Sequence, residues 1–139
     1  DFETPLWLDP PGRTADVLAY VRFQSGAPVV DEPGRASFAV VVEPASVPAL
    51  EAFDQGTDAE PERSATVIVQ VDDLATGHGC RLTGPGISGE AWLRTTGLGP
   101  AFWTARRDAH ARFPLGVDLL LVAGTRLVAL PRTTRVETP

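Results

Sequence analysis

A chain of 139 residues with 43% apolar content has enough material to bury a sizeable core and is too apolar for disorder to be the default. Its net charge of −6 disfavours a binder of nucleic-acid backbones, which needs a basic face, although a local arginine pocket can still hold one anion. All 12 basic residues are arginine, so no lysine amine is available to anchor pyridoxal phosphate covalently or to serve a phosphate-binding loop.

In chain order, Thr14 caps a predicted helix that runs through about Ser25, with Asp16 in its first turn and Val17, Leu18 and Val21 on one face. Gly26 and Pro28 end it. Phe38 to Val42 is an unbroken apolar run, which predicts a strand buried on both faces. Ser46 caps a second, shorter helix with Pro48 in its first turn and Val47, Leu50 and Phe53 on one side; Gly56 stops it. Ala65 to Val71 is the clearest strand, with Val67, Val69 and Val71 pointing one way and Thr66, Ile68 and Gln70 the other.

Asp72 to Gly79 reads as a polar connection to a strand at Arg81 to Thr83. The Gly84-Pro85-Gly86 turn follows, then a strand at Ala91 to Arg94. Pro100 opens a third helix with Phe102, Ala105 and Ala109 inward and Arg106, Arg107 and His110 outward; Pro114 closes it. Asp118 to Ala123 and Arg126 to Leu130 form an antiparallel pair, because Gly124-Thr125 has the chemistry of a type II′ turn. Interleaved strands and helices predict one α/β domain over residues 1–139 with a mixed central sheet.

The segments able to carry chemistry sit at strand ends. Pro131-Arg132-Thr133-Thr134-Arg135 offers an arginine fork and two hydroxyls, suited to a carboxylate or phosphoryl group. The structural alternatives are an ion pair of Arg132 with Asp118 or Glu137, and contact with a partner subunit. Thr83, Gly84 and Gly86 can present backbone donors to an anion, but without Rossmann or P-loop spacing, so a tight turn explains them better. Arg63 and Ser64 can face a cleft, yet Ser64 lacks nucleophile-elbow flanks, and an exposed Glu62–Arg63 ion pair is the simpler expectation.

Asp118 is the one polar group before an apolar run, and catalysis there would want a second acid or a metal. Cys80 is the only cysteine and is expected to be a small buried hydrophobe in a reducing compartment. His78 with Cys80 is too short a ligand set for structural zinc, and His110 suits the negative end of a helix. Trp7, Trp92 and Trp103 are expected to be core or interface anchors.

Three segments, taken in order, resemble the PhnH family of carbon–phosphorus lyase subunits. They are Leu82-Thr83-Gly84-Pro85-Gly86-Ile87, Phe113-Pro114-Leu115-Gly116-Val117-Asp118 and Pro131-Arg132-Thr133-Thr134-Arg135-Val136. Glu3-Thr4-Pro5-Leu6-Trp7-Leu8, Arg22-Phe23 before Gly26-Ala27-Pro28, Ser37-Phe38-Ala39-Val40, and Gly56-Thr57 followed by Pro61 and Ala65-Thr66 extend the pattern almost end to end.

The resemblance implies a three-layer α/β/α domain shaped like pyridoxal phosphate-dependent transferases but without the cofactor. It also implies a homodimer that joins PhnG, PhnI and PhnJ in the core complex; separately, without a membrane-length apolar run or a signal-like start at Asp1-Phe2-Glu3-Thr4, a soluble cytoplasmic protein is the simplest expectation. In that pathway a phosphonate displaces the base of ATP, and PhnJ later cleaves the carbon–phosphorus bond. The family pattern includes a further N-terminal stretch before the first strand. Where the family commonly has His-Thr-Gly, this chain has Gln24-Ser25-Gly26, so a histidine role there is lost, and the loop from Asp54 to Glu60 is more acidic than expected.

The leading expectation is therefore a non-catalytic subunit with no cofactor and no metal. The alternatives are a binding role in which Arg132, Thr133 and Arg63 hold a phosphonate or ribose phosphate, and an independent acid–base enzyme using Asp118.

Overall fold

The computed structural model describes residues 1–139. Helix α1 (Ala15–Ser25) begins where Thr14 accepts a hydrogen bond from the backbone N–H of Val17, and it ends at Gly26, whose N–H caps the Arg22 carbonyl. None of its residues is buried, and Tyr20 and Phe23 stand 66% and 86% exposed. The Val17, Leu18 and Val21 face therefore does not enter the core.

The main sheet has six strands in the order β2-β1-β3-β4-β7-β8. The strands are β1 (Leu6–Leu8), β2 (Val29–Val30), β3 (Phe38–Val41), β4 (Thr66–Gln70), β7 (Asp118–Ala123) and β8 (Arg126–Leu130). The first five are parallel, and β8 returns antiparallel to β7 through the two-residue Gly124-Thr125 loop. The sheet is thus mixed, as the hairpin chemistry predicts. One of its faces is sealed: Ala39, Val41, Val67, Val69 and Leu121 have no accessible surface. Phe38 and Val40, on the other face of β3, are exposed and half-buried. The apolar run at Phe38 therefore does not mark a strand buried on both faces, because helical cover on the second face is thin.

A second, antiparallel sheet runs β6-β5-β9, with β5 (Asp73–Thr83), β6 (Ala91–Thr96) and β9 (Arg135–Glu137). Its Leu74, Cys80, Leu82, Leu93 and Val136 join the same 22-residue apolar cluster as the main sheet. Strand β5 takes in most of the segment expected to be a polar connection. Its polar residues pair with β6 on both sides of a bulge, where Thr76 and Cys80 both oppose Leu93. Local polarity misled because the hydrogen bonds of this segment come from a distant strand.

Residues 46–56 contain no α-helix. They hold the end of one 3₁₀ turn, Pro44–Ser46, and all of another, Leu50–Ala52. Pro48 forces Val47 to an extended ψ of 119°, so no helix can pass. Leu50 and Phe53 are still buried, as their spacing suggests. Helix α2 (Pro100–Ala109) starts at its proline, but it turns Trp103 and Arg106 inward. The outward placement of Arg106 expected from polarity is thus corrected: the guanidinium finds carbonyl partners inside the fold. No helix is long and apolar enough to cross a membrane.

Candidate functional site

The parallel strands of the main sheet start together, and the turn after β8 lies at that amino-terminal edge because β8 runs the opposite way. Asp118 opens β7 there, and Arg132 follows β8 directly. One Asp118 carboxylate oxygen accepts the Arg132 backbone N–H at 2.7 Å, and the other lies 3.5 Å from the guanidinium. Arg132 Nη1 donates to the Pro61 carbonyl, to the Ser64 hydroxyl and, at 3.4 Å, to the Gly116 carbonyl. One half-buried guanidinium thus ties together the entry to β4, the entry to β7 and the exit from β8.

The other sequence candidates are distributed around this clamp. Thr134 is buried, and its N–H closes a turn onto the Pro131 carbonyl at 2.8 Å. Thr133 packs its backbone against Gly84: a Cβ at Gly84, with φ +142°, would lie 3.0 Å from the Thr133 oxygen. Thr83 pairs with Arg135 in the β5–β9 ladder. The glycine turn and the arginine–threonine turn, far apart in the chain, therefore meet. Gly86 sits beyond them, exposed at the tip of the turn.

Arg63 stands apart. It is exposed and pairs at 3.0 Å with Glu60, rather than the expected Glu62, and this contact raises its pKa. Of the expected ligand trio, only Arg132 and Thr133 are neighbours.

Two groups beside the clamp were not anticipated as members of it. Arg106 donates from Nη2 to the Pro131 and Thr134 carbonyls, at 2.8 and 3.1 Å. Burial lowers its pKa, partly opposed by the field of Asp118. The i, i+3 spacing of Trp103 and Arg106 was the available sign that both share an inward face. His110 lies between two arginines of this segment, its Nε2 3.2 Å from Arg135 Nε and its Nδ1 3.2 Å from the Arg132 carbonyl oxygen. Cys80 is buried, and desolvation pushes its thiol up, away from nucleophilic chemistry.

Open parallel sheets bind ligands at the other edge, outside the carboxyl ends of the strands, where the strand order reverses. Here the chain goes from β1 to β2 on one side and then to β3 on the other, so the reversal lies between β1 and β3. Asp9, the residue after β1, fills that crevice and has no accessible surface. Its carboxylate accepts from the backbone N–H groups of Gly12, Val42 and Glu43, each at 3.0 Å, and from the Ser46 hydroxyl at 3.1 Å. The donors that would greet an anionic ligand in such a fold are satisfied by the chain's own acid. An acid directly after an apolar strand was the only sequence sign of it.

A cleft of about 410 Å³ opens elsewhere, lined by Cys80, Arg94, Thr95, Trp103 and Thr104 among others. It shares no residue with the Arg132 clamp.

Residues 1–137 match the family model of PhnH, bacterial phosphonate metabolism protein. The chain is similar to the alpha-D-ribose 1-methylphosphonate 5-triphosphate synthase subunit PhnH of Rhizobium meliloti (strain 1021). The two are 36% identical over 140 residues, which is 99% of this chain and 68% of that protein. It is also similar to HtxG of Stutzerimonas stutzeri, provisionally named a C-P lyase subunit protein. That identity is 46% over 82 residues, 59% of this chain and 42% of the relative.

Proposed function

We propose a role for this chain from one premise: it belongs to the PhnH family of bacterial phosphonate metabolism proteins. It serves as a non-catalytic subunit of a cytoplasmic carbon–phosphorus lyase complex, pairing with a second copy and joining PhnG, PhnI and PhnJ. The complex exchanges the base of ATP for a phosphonate and later breaks the carbon–phosphorus bond, while this single domain contributes surfaces. The three-layer layout shaped like pyridoxal phosphate-dependent transferases, without their cofactor, is part of the same reading.

One observation carries the proposal. The charged groups at both strand edges, Arg132 and Asp9, are engaged by atoms of the chain itself, whereas large aromatic side chains remain uncovered. Phe2 and Phe23 are 76% and 86% exposed, and Phe38, which pairs with Leu6 of β1, is 40% exposed. Exposed aromatic residues of this kind anchor interfaces.

The test is co-expression with tagged PhnI and untagged PhnG and PhnJ. The chain should elute with the complex at fixed stoichiometry. Elution of a complete complex that leaves this chain behind would end the reading, as would turnover of a phosphonate and ATP by the chain alone.

A further inference from the structure

The parallel strands β1, β3 and β4 start at one edge of the main sheet, and the segments that lead into them meet there. The Ser37 N–H donates to the Pro5 carbonyl at 2.9 Å, the Thr66 N–H to the Ser37 carbonyl at 3.0 Å and the Ala65 N–H to the Asp54 carbonyl at 2.8 Å. Beside these tied backbones lies a cavity of about 340 Å³, within the range of small-molecule sites. Its lining is mostly charged: Arg35 and Arg63 on the positive side, Glu3 and Asp54 on the negative, with Ser37 as a further polar residue.

Arg35, Glu3 and Asp54 enter none of the chain's eight ion pairs, and Arg63 pairs only with Glu60, which does not line the cavity. One Asp54 oxygen accepts the Gly56 N–H at 2.9 Å, and the other accepts nothing from the chain. The four charged groups thus line one gap without pairing across it. Two cations and two anions around a cavity repel an ion of either sign about as much as they attract it, whereas a ligand carrying both signs gains from all four.

We propose that this cavity binds a small zwitterion, a primary ammonium joined by a short carbon chain to a carboxylate or a phosphonate. The oxyanion meets Arg35 and Arg63, whose guanidinium forks suit it, and the ammonium meets Glu3 and Asp54. The site shares no residue with the Arg132 clamp. It does not rest on the subunit role proposed above, which assigns the chain surfaces and no ligand.

Isothermal titration calorimetry of the full chain with glycine, β-alanine and 2-aminoethylphosphonate tests it. At least one should bind saturably, with Kd in the millimolar range or tighter, and β-alanine against 2-aminoethylphosphonate separates carboxylate from phosphonate preference. Ethylphosphonate, which lacks the ammonium, and ethylamine, which lacks the oxyanion, should bind at least about tenfold more weakly than that zwitterion. Arg35→Met should weaken the zwitterion by a similar factor, and Arg94→Met should leave it unchanged. Asp54→Asn, which still accepts from Gly56, should narrow the gap between the zwitterion and ethylphosphonate. In an NMR titration of the wild-type chain the amide signals of Arg35, Ser37 and Asp54 should move while those of Gly84 and Thr133 stay, which decides the matter should a variant fail to fold. No saturable response to any of the three zwitterions would overturn the proposal and leave the four charges to solvent. So would ethylphosphonate binding as tightly as the zwitterion, Arg35→Met binding like the wild type, or shifts confined to residues away from the cavity.

Discussion

Asp118 grips Arg132 at two points, by its backbone N–H at 2.7 Å and by its guanidinium at 3.5 Å. The acid that begins β7 thereby positions the arginine that follows β8, and the arginine in turn reaches Pro61 and Ser64 before β4. The pair is half-buried, so its worth lies in holding three chain entries together more than in Coulomb attraction, which solvent screens at such sites.

Replacing Asp118 by Ala leaves the Arg132 N–H and guanidinium short of an acceptor. The expected loss is about 2 kcal/mol, in line with hydrogen bonds to charged groups. Urea unfolding measures it, and Arg132→Ala should cost a similar amount. The double variant should lose less than the sum, because the two residues act as one unit.

Asp9→Ala strips the acceptor from three backbone N–H groups and one hydroxyl in a sealed crevice. A loss of about 3 kcal/mol or more is expected. Gly12→Ala should also destabilise, since its Cβ would stand 2.6 Å from an Asp9 oxygen. Calorimetric melting of both variants checks this, and a near-wild-type Asp9→Ala would contradict the described role of the carboxylate.

Gly84→Ala places a Cβ on a residue at φ +142° and 3.0 Å from the Thr133 oxygen. The strain predicts a loss of about 2 kcal/mol. Gly86→Ala meets no atom within 4 Å and suffers only its positive φ, so it should lose less. Comparing the two midpoints in urea separates close approach from turn chemistry.

Asp73 is held below the usual carboxylate range, first by the hydrogen bond from Arg126. A depressed folded-state pKa contributes stability above the unfolded aspartate value of about 3.9, and the contribution is lost as pH falls through the lower folded value. Arg126→Met should move the Asp73 midpoint upward in a carboxyl NMR titration. The Glu90 midpoint, lowered mainly by Arg81, should stay where it is.

Phe23→Glu alters a helix that buries no residue. Its effect on monomer stability should fall within about 0.5 kcal/mol, as for ordinary surface changes. If the exposed aromatic residues dock partners, the same variant should weaken co-purification or dimerisation. Analytical ultracentrifugation and melting together distinguish lost docking from lost folding.

Where structure depends on near neighbours, the chain announces it. Thr14 and Gly26 bound α1, and Gly124-Thr125 turns the β7–β8 hairpin, because a cap or a two-residue loop needs only residues adjacent in sequence. The period-2 valines of β4 point inward for the same reason. The ordered segments also carry family membership, since they hold almost the whole length of the chain in register with known PhnH proteins.

Other features arise only from long-range pairing. Asp72 to Gly79 is polar, yet most of it is strand, because β6 supplies its partners from 17 (Thr76 to Leu93) to 23 (Asp73 to Thr96) residues away. Arg106 is charged, yet buried, because carbonyl groups of the Pro131–Thr134 turn reach it across the fold. Asp9 gives little local sign of its role, which exists only because β3 ends beside β1. Hydrophobic period and turn chemistry are written into neighbouring residues, whereas the partner of a buried charge is chosen by which distant backbone groups folding leaves without one.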